Sequence, residues 1–402
     1  MLSTSPQLCS PKPAPRHLEI RIGQRAAVRF RTFILDPKRG LLPQRSWKNN
    51  LILDSGLDSI GARTWAANVE YFAVGSGTNP TVKDSGATTL SRAGTTVTAS
   101  AGFFAAGDVN ALIRWDTGET AYIASFTDTT HVETVSTGTI AAAEGAVYYV
   151  NQTALQTELK RSLTTSSLGA GNSVAWNVGT SVWKITRTII FTAEVGAVTY
   201  NEAGWTWQAA GSIFGRSIIS GGDSLTAGQQ YVISLELSIT FSPTTLAAKG
   251  NVGTLIDTTG NIVIESAWMG TGAQMRAFSQ PGELTQGVLE PSSAQLGTFA
   301  SLNNWTQQAT TATGRVAGPV SVTKAGVNDA YSTGSHTRTR TAAFTVSEAV
   351  GNIVGVGLFG GPSPDHANGG LGFTLKFSTV QPKTALQTMT VVYRFTWDRV
   401  YA

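Results

Sequence analysis

The sequence predicts an all-β chain with two tandem β-sandwich domains, a small β-barrel or roll module inserted into the first, and an extended N-terminal arm. Three observations predict it. The second half of the chain repeats the strand pattern of the first. Apolar and polar residues alternate with period two over most of that repeat, the spacing of half-buried strands. Glycine is abundant, at 43 of 402 residues, while charged residues make up only 13%. That charge content is about half the usual share, which fits a turn-rich chain whose surface is largely covered by neighbours.

The repeat is read directly. Ile185-Thr-Arg-Thr-Ile-Ile-Phe191-Thr is matched by Arg338-Thr-Arg-Thr-Ala-Ala-Phe344-Thr. Glu202-Ala-Gly204-Trp205 is matched by Val356-Gly357-Leu358-Phe359, with Phe and Gly 13 residues apart in both copies. Closing strands follow at Tyr231–Phe241 and Met389–Trp397.

From the N-terminus, residues 1–17 are rich in Pro and Ser and are expected to be extended. Residues 1–48 carry ten basic side chains, including Arg16, Arg21, Arg25, Arg29, Arg31, Arg39 and Arg45, against Glu19 and Asp36, a net of +8. With +4 for the whole chain, the remainder is net −4. This basic arm or hairpin reads as a docking element for an acidic partner protein. The plain alternative is a solvated strand pair, because the basic residues alternate with apolar ones in Ile20-Arg-Ile22 and Val28–Phe33. Nucleic acid is not expected, since no interleaved aromatic and basic residues are set up for base stacking. Asp36-Pro-Lys-Arg-Gly40 is a turn. Leu53, Leu57 and Ile60 have helical spacing and predict a short helix.

The first sandwich is expected over 49–90 and 151–243. Its first strand, Val69–Val74, ends in Gly75-Ser-Gly77-Thr-Asn-Pro80, which lacks the Lys-Ser/Thr of a phosphate loop. Between the halves, residues 91–150 hold six apolar or aromatic runs spaced about 8–12 residues apart, the pattern of a small barrel or roll. The second sandwich is expected over 251–402. Its Ile262–Gly272 segment parallels Val69–Gly77 as strand, aromatic and Gly-x-Gly.

Candidate chemistry is sparse. Cys9 is a lone cysteine and excludes an internal disulfide framework or a multi-cysteine zinc site. His17, His131, His336 and His366 lie in no ligand-spaced pair, so no metal and no cofactor are expected. Asp365-His366 lies in a Gly/Pro loop, and no G-x-S-x-G motif accompanies it. No apolar run reaches membrane-span length, and the N-terminus lacks an apolar signal core, so no membrane partner is expected. Glu202 lies within strand-like sequence, where a buried charge needs a partner. Backbone N–H groups or Arg216 are the expected ones. Together with Gly204 and Gly357 these residues form a structural motif, with no catalytic set. Trp205, Trp207, Trp305 and Trp397 are read as core or interface residues, the alternative being stacking on sugars.

Residues 50–57, Asn50-Leu-Ile-Leu-Asp-Ser-Gly-Leu57, followed by Phe72-Ala-Val-Gly-Ser-Gly-Thr-Asn-Pro80, resemble the N-x-I-T-D-x-G-L … I-x-V-G-T-G-T-x-x-P opening of tailed-bacteriophage virion proteins. Leu155–Arg161, Glu202-Ala-Gly204-Trp205, Phe214-Gly-Arg216 and Asp223–Gly228 continue that family's order. Leu53 stands where the family has Thr, and residues 90–150 split its pattern. The resemblance implies a β-sandwich virion component of the tail, baseplate, neck or fibre. It would be assembled in the host cytoplasm, form homo-oligomers and contact other virion proteins. Two alternatives remain open: an adhesin that binds a host surface glycan, and a capsid decoration protein.

Overall fold

A computed structural model of the chain describes residues 16–62, 71–163, 173–177, 182–206, 208–242, 254–257, 264–269, 295–299, 323–325, 327–328, 330–348, 350–359 and 371–401. Strands dominate it, and the fold is all-β. Contacts divide the chain into two compact units. One comprises 26–174, 184–238 and 399–402; the other comprises 1–25, 175–183 and 239–398.

The chain opens with β1 (Arg16–Asp36) and β2 (Gly40–Ile52), then α1 (Asp54–Ala62) and β3 (Tyr71–Gly75). Six short strands follow: β4 (Val82–Asp84), β5 (Leu90–Ala99), β6 (Leu112–Trp115), β7 (Thr120–Asp128), β8 (His131–Ala143) and β9 (Gly145–Tyr148). The frame then resumes with β10 (Glu158–Leu163), β11 (Ser173–Asn177), β12 (Val182–Ile190), β13 (Val198–Thr206), β14 (Gly215–Leu225) and β15 (Gln230–Ser242). The second half contributes β16 (Thr254–Asp257), β17 (Ile264–Met269), β18 (Gln295–Phe299), β19 (Thr323–Ala325) and β20 (Val327–Asn328). It ends with β21 (Thr337–Phe344), β22 (Gly351–Phe359), β23 (Leu371–Lys383) and β24 (Met389–Arg399).

Strand order makes the duplication explicit. The run β10-β3-β13-β14-β2 has its counterpart in β19-β18-β22-β23-β17. The neighbours β15-β12-β11 correspond to β24-β21-β20. Taken in chain order among the described residues, nine strands of the first half match nine of the second, and the six strands β4–β9 are extra. The strand Ile264–Met269 corrects one expectation. It pairs with β23, as β2 pairs with β14, so it is the counterpart of β2. The counterpart of β3 is β18, which pairs with β22 as β3 pairs with β13. A strand followed by an aromatic and Gly-x-Gly is too common a pattern to have set this register.

Finer details repeat as well. Between Tyr200↔Asp223 and Glu202↔Ile218, β14 advances five residues while β13 advances two. Between Ile353↔Gln381 and Gly355↔Lys376, β23 advances five while β22 advances two. The same bulge thus carries three additional residues in each copy. In the first copy it includes Gly221 and Gly222 at φ +77° and +65°, a region that glycine enters readily. The turn before each closing strand recurs too. Thr226 N donates to Gln229 Oε1 (2.8 Å), and Thr384 N donates to Gln387 Oε1 (3.1 Å). The carbonyl after the shared Phe accepts a lysine in both copies, but from strands that do not correspond: Lys160 of β10 reaches Thr192 O (3.2 Å) and Lys383 of β23 reaches Thr345 O (2.9 Å).

The first unit is cored by Phe30, Phe72, Ile189, Phe191, Tyr200, Leu225, Tyr231 and Ile233. Fully burying such a side chain contributes about 1.5–3 kcal/mol. Residues 26–36 belong to this core: Ala26, Val28, Phe30, Thr32 and Ile34 are buried, and from Val28 onward β1 pairs with β2. The second half of the basic segment is therefore a hairpin of the sheet. The short helix falls where the Leu53/Leu57 spacing places it, with both leucines fully buried. Gly56 lies so close to the Phe214 carbonyl that a Cβ would collide with it.

The six additional strands form an antiparallel sheet ordered β4-β9-β6-β7-β8-β5. Its own core holds Leu90, Val97, Ile113, Trp115, Ile123, Val132 and Val147. One of the six runs in 91–150, Phe103-Phe104, forms no strand: both amides donate to the Thr129 carbonyl and the rings meet edge to face at 5.1 Å. The sixth strand is β4 instead, so the sheet begins at Val82. A second apolar cluster joins this module to the frame, with Leu112 and Tyr148 from the module packed among Leu51, Leu53, Ala73 and Ile213.

Lys383 supplies a prediction. Its ammonium is buried and donates to the carbonyls of Thr345, Val346 and Glu348 at 2.9, 3.3 and 2.6 Å. Lys383→Met keeps the stem and strands those acceptors. It should lower unfolding free energy by about 1–3 kcal/mol in denaturant melts.

Candidate functional site

The family-like motifs converge on one buried carboxylate. Glu202 lies on β13, fully buried, beside β3 on one edge and β14 on the other. Its Oε1 accepts the amides of Gly77 (3.0 Å) and Thr157 (2.7 Å). Its Oε2 accepts the amide of Gln156 (3.0 Å) and Arg216 Nε (2.8 Å). Burial pushes the Glu202 pKa up, but the Thr157 and Gln156 amides and the Arg216 guanidinium outweigh it, so the net shift is downward. Arg216, on β14, is also fully buried. Its Nη1 donates to Asn79 O and to Gln152 Oε1, both at 3.0 Å. Its Nη2 has no acceptor among the described residues.

The partners are not scattered. Gly77 and Asn79 lie on the segment leading into the module, and Gln152, Gln156 and Thr157 lie on the segment leading out. Gln156 Oε1 then ties the two together by accepting the amides of Thr78 and Asn79, both at 2.9 Å. Asn201 adds a bond to Ser76 O (3.1 Å). The glycines are explained by the same cluster, since a Cβ on Gly75 would also collide with the Thr157 carbonyl. A Cβ on Gly75 would lie 2.6 Å from Glu202 Oε1, and one on Gly77 would collide with it. The cluster is a clamp that holds both connections of the module on the frame.

The second copy shows what this clamp is not needed for. By register, Glu202 corresponds to Gly355 and Arg216 to Thr374. Gly75 pairs with Glu202, and its counterpart Phe299 pairs with Gly355. The buried charges are absent as a pair, as expected where one alone would be stranded, and the small and large residues have exchanged places across the two strands. Gly204 and Gly357 are equivalent positions that keep glycine. At Gly204 a Cβ would lie 2.9 Å from Leu155 Cδ2 and 3.2 Å from the Gly215 carbonyl. The strand frame therefore forms without the ion pair, which belongs to the copy that carries the module.

Four further carboxylates each combine a cation with a tyrosine hydroxyl. Asp223 accepts Arg45 Nε (2.8 Å), Thr32 Oγ1 (2.7 Å) and Tyr231 Oη (2.7 Å). Asp54 accepts Arg399 and, at 3.0 Å, Tyr122 Oη. Asp108 accepts Lys83 and, at 2.8 Å, Tyr149 Oη. Glu194 accepts Lys160 and Tyr200 Oη, both at 2.6 Å. Burial, together with the adjacent carboxylate, raises all four tyrosine pKa values well above the ordinary range, so the hydroxyls stay protonated donors. The sequence hints at one of these centres. Thr32 stands between inward-facing Phe30 and Ile34, so a polar group is aimed into the core.

The basic residues of the hairpin divide. Arg45 is held by Asp223 and the Gly222 carbonyl. Arg29 is paired with Glu236 at 2.7 Å and lies over the Trp47 ring. Arg31 lies over Trp47 and Phe33. Arg25 and Arg39 are exposed, the latter 3.7 Å from Asp36. Trp205 is fully buried against Phe214 (centroids 4.1 Å) and Trp397 is buried near Tyr331. Gly357 pairs with Gly297 and Thr374. His131 meets exposed Asp128 in a turn, and His336 takes φ +45°. Cys9, Trp207, Trp305 and Asp365-His366 lie outside the described residues, as do the side chains of Arg16, His17 and Arg21. Among the described residues, no group of three or more His, Cys, Asp and Glu is placed to hold a metal ion.

Comparison with protein-family models, curated proteins and solved structures finds no match to this chain.

Removing one member of the clamp strands the other. Glu202→Gln should cost about 3–5 kcal/mol of unfolding free energy. Glu202→Gly with Arg216→Thr, the pair found in the second copy, should cost less than the two single changes added. Because the folded Glu202 pKa is depressed, its contribution is complete above the ordinary glutamate range and is lost as pH falls through the folded value. Denaturant melts across that acidic window should show a shallower pH slope for Glu202→Gln than for the native chain.

Proposed function

We propose that the chain is a structural component of a tailed-phage virion, built on two tandem β-sandwich domains and acting through assembly with copies of itself and other virion proteins. The observation that carries this reading is the duplicated nine-strand frame, one copy of which holds an additional module through a buried clamp. A scaffold of that kind presents different surfaces from one repeated base. The ordered motif series from Asn50 to Gly228 supports the phage assignment. The use of the buried carboxylates supports a structural role. Each accepts hydrogen bonds from backbone amides, cations or tyrosines within the fold, the pattern of a structural junction. Tail, baseplate, neck and fibre positions share these requirements, and a capsid-surface position differs in location alone.

The test is to image intact particles carrying an epitope tag on this chain. The expected result is a regular, symmetric set of labels at the tail, neck or baseplate. A particle preparation from which the chain is absent would overturn the reading.

A further inference from the structure

The first unit presents two surfaces of opposite charge. One is the outer face of β1. Alternation sends Ala26, Val28, Phe30, Thr32 and Ile34 inward and leaves Ala27, Arg29, Arg31, Phe33 and Leu35 outward. Two guanidiniums on this face are held by aromatic rings, with Arg29 and Arg31 each 4.8 Å from the Trp47 centroid and Arg31 5.0 Å from that of Phe33. Lys184 joins them through Glu236, which it approaches to 3.0 Å. Arg29 and Lys184 side chains remain 42% exposed, and Arg31 is exposed. Three cations against Glu236 give a net of +2. Stacking on rings fixes the guanidinium planes in advance, so little freedom is lost when they meet carboxylates.

The other surface is one rim of the module. Asp84, Asp116, Glu119 and Glu144 are all exposed there. The backbone brings them together. Asp116 N donates to Glu144 O and Trp115 N to Glu119 O, both at 3.0 Å, while Asp84 pairs with Ala146 two residues past Glu144. The cation among them, Arg114, is turned onto the Tyr401 ring at 5.0 Å. Four carboxylates against Arg114 give a net of −3.

We propose that the arginine–aromatic face of β1 docks on the acidic module rim of a second copy of this chain, in a head-to-tail contact. The proposal rests on the assembly reading above and names the partner and surfaces for its self-association. Opposite charges on two different patches favour a heterologous contact, which closes into a ring or continues as a filament, and exposed charges steer the encounter in a salt-dependent way. The clamp then has a consequence for assembly, because it fixes the rim relative to the face within each copy.

A charge-swap experiment tests this on the full chain. Variant one carries Arg31→Glu and Lys184→Glu; variant two carries Asp116→Lys, Glu119→Lys and Glu144→Lys. In sedimentation velocity at low salt the native chain should form oligomers that dissociate at high salt. Each variant alone should shift at least tenfold toward monomer, since like charges then face each other. An equimolar mixture should reassemble, because each reversed surface meets its complement on the other variant, and reassembly also shows that both variants fold. A monomeric native chain, or oligomers that survive in either variant, would overturn the proposal. So would a mixture that stays monomeric although circular dichroism shows both variants folded. The assembly reading fails separately, if the chain is missing from particles.

Discussion

The Glu202–Arg216 pair is the interaction on which the first half of the chain depends. A carboxylate and a guanidinium removed from water would cost several kcal/mol each if left bare. Here the carboxylate receives three amides and one guanidinium nitrogen, and the guanidinium reaches one carbonyl and one side-chain amide oxygen. Every one of those outside partners lies on the two connections to the inserted module. The energy of satisfying a buried pair is thereby converted into geometry. The segments into and out of the module have one well-paired position on the frame, and glycine at 75 and 77 leaves the space that position needs.

The duplicated frame supplies an internal control. Its second copy keeps the strand order, the three-residue bulge and the Thr-to-Gln turn, and it lacks the ion pair. These common features are what the frame requires. The pair is what the module requires. The chain thus carries few charges, and in the first unit several of them lie at defined internal junctions: Asp54 with Arg399, Asp108 with Lys83, Glu194 with Lys160 and Asp223 with Arg45. Tyrosines complete each of these four junctions, which is why low overall charge and a polar interior coexist here.

Much of this was legible in the sequence. Period-two alternation, glycine content and the Phe-to-Gly interval of 13 indicated an all-β repeat, and five of the six module strands fall on apolar runs. The need for a partner at Glu202 followed from a carboxylate placed in strand sequence. Register was less legible. The Trp268 strand matched Val69–Gly77 in pattern yet occupies the β2 position, because pattern records which side of a strand is apolar and says nothing of which neighbour it bonds. The basic segment gave its charge correctly but not its placement, since Thr32 and Arg45 act through Asp223, far along the chain. Gln156 lies in the family-like run Leu155–Arg161, but nothing in that run points to the clamp, and Gln152 had no signal at all. Their role comes from where the module's ends happen to lie.

The clamp is tested most directly by amide hydrogen exchange at Gly77, Gln156 and Thr157 in the native chain and in Glu202→Gln. The account predicts that these three amides, protected in the native chain, exchange much faster in the variant while Ile113 and Val147 in the module core stay protected. Unchanged protection at the three amides would contradict it.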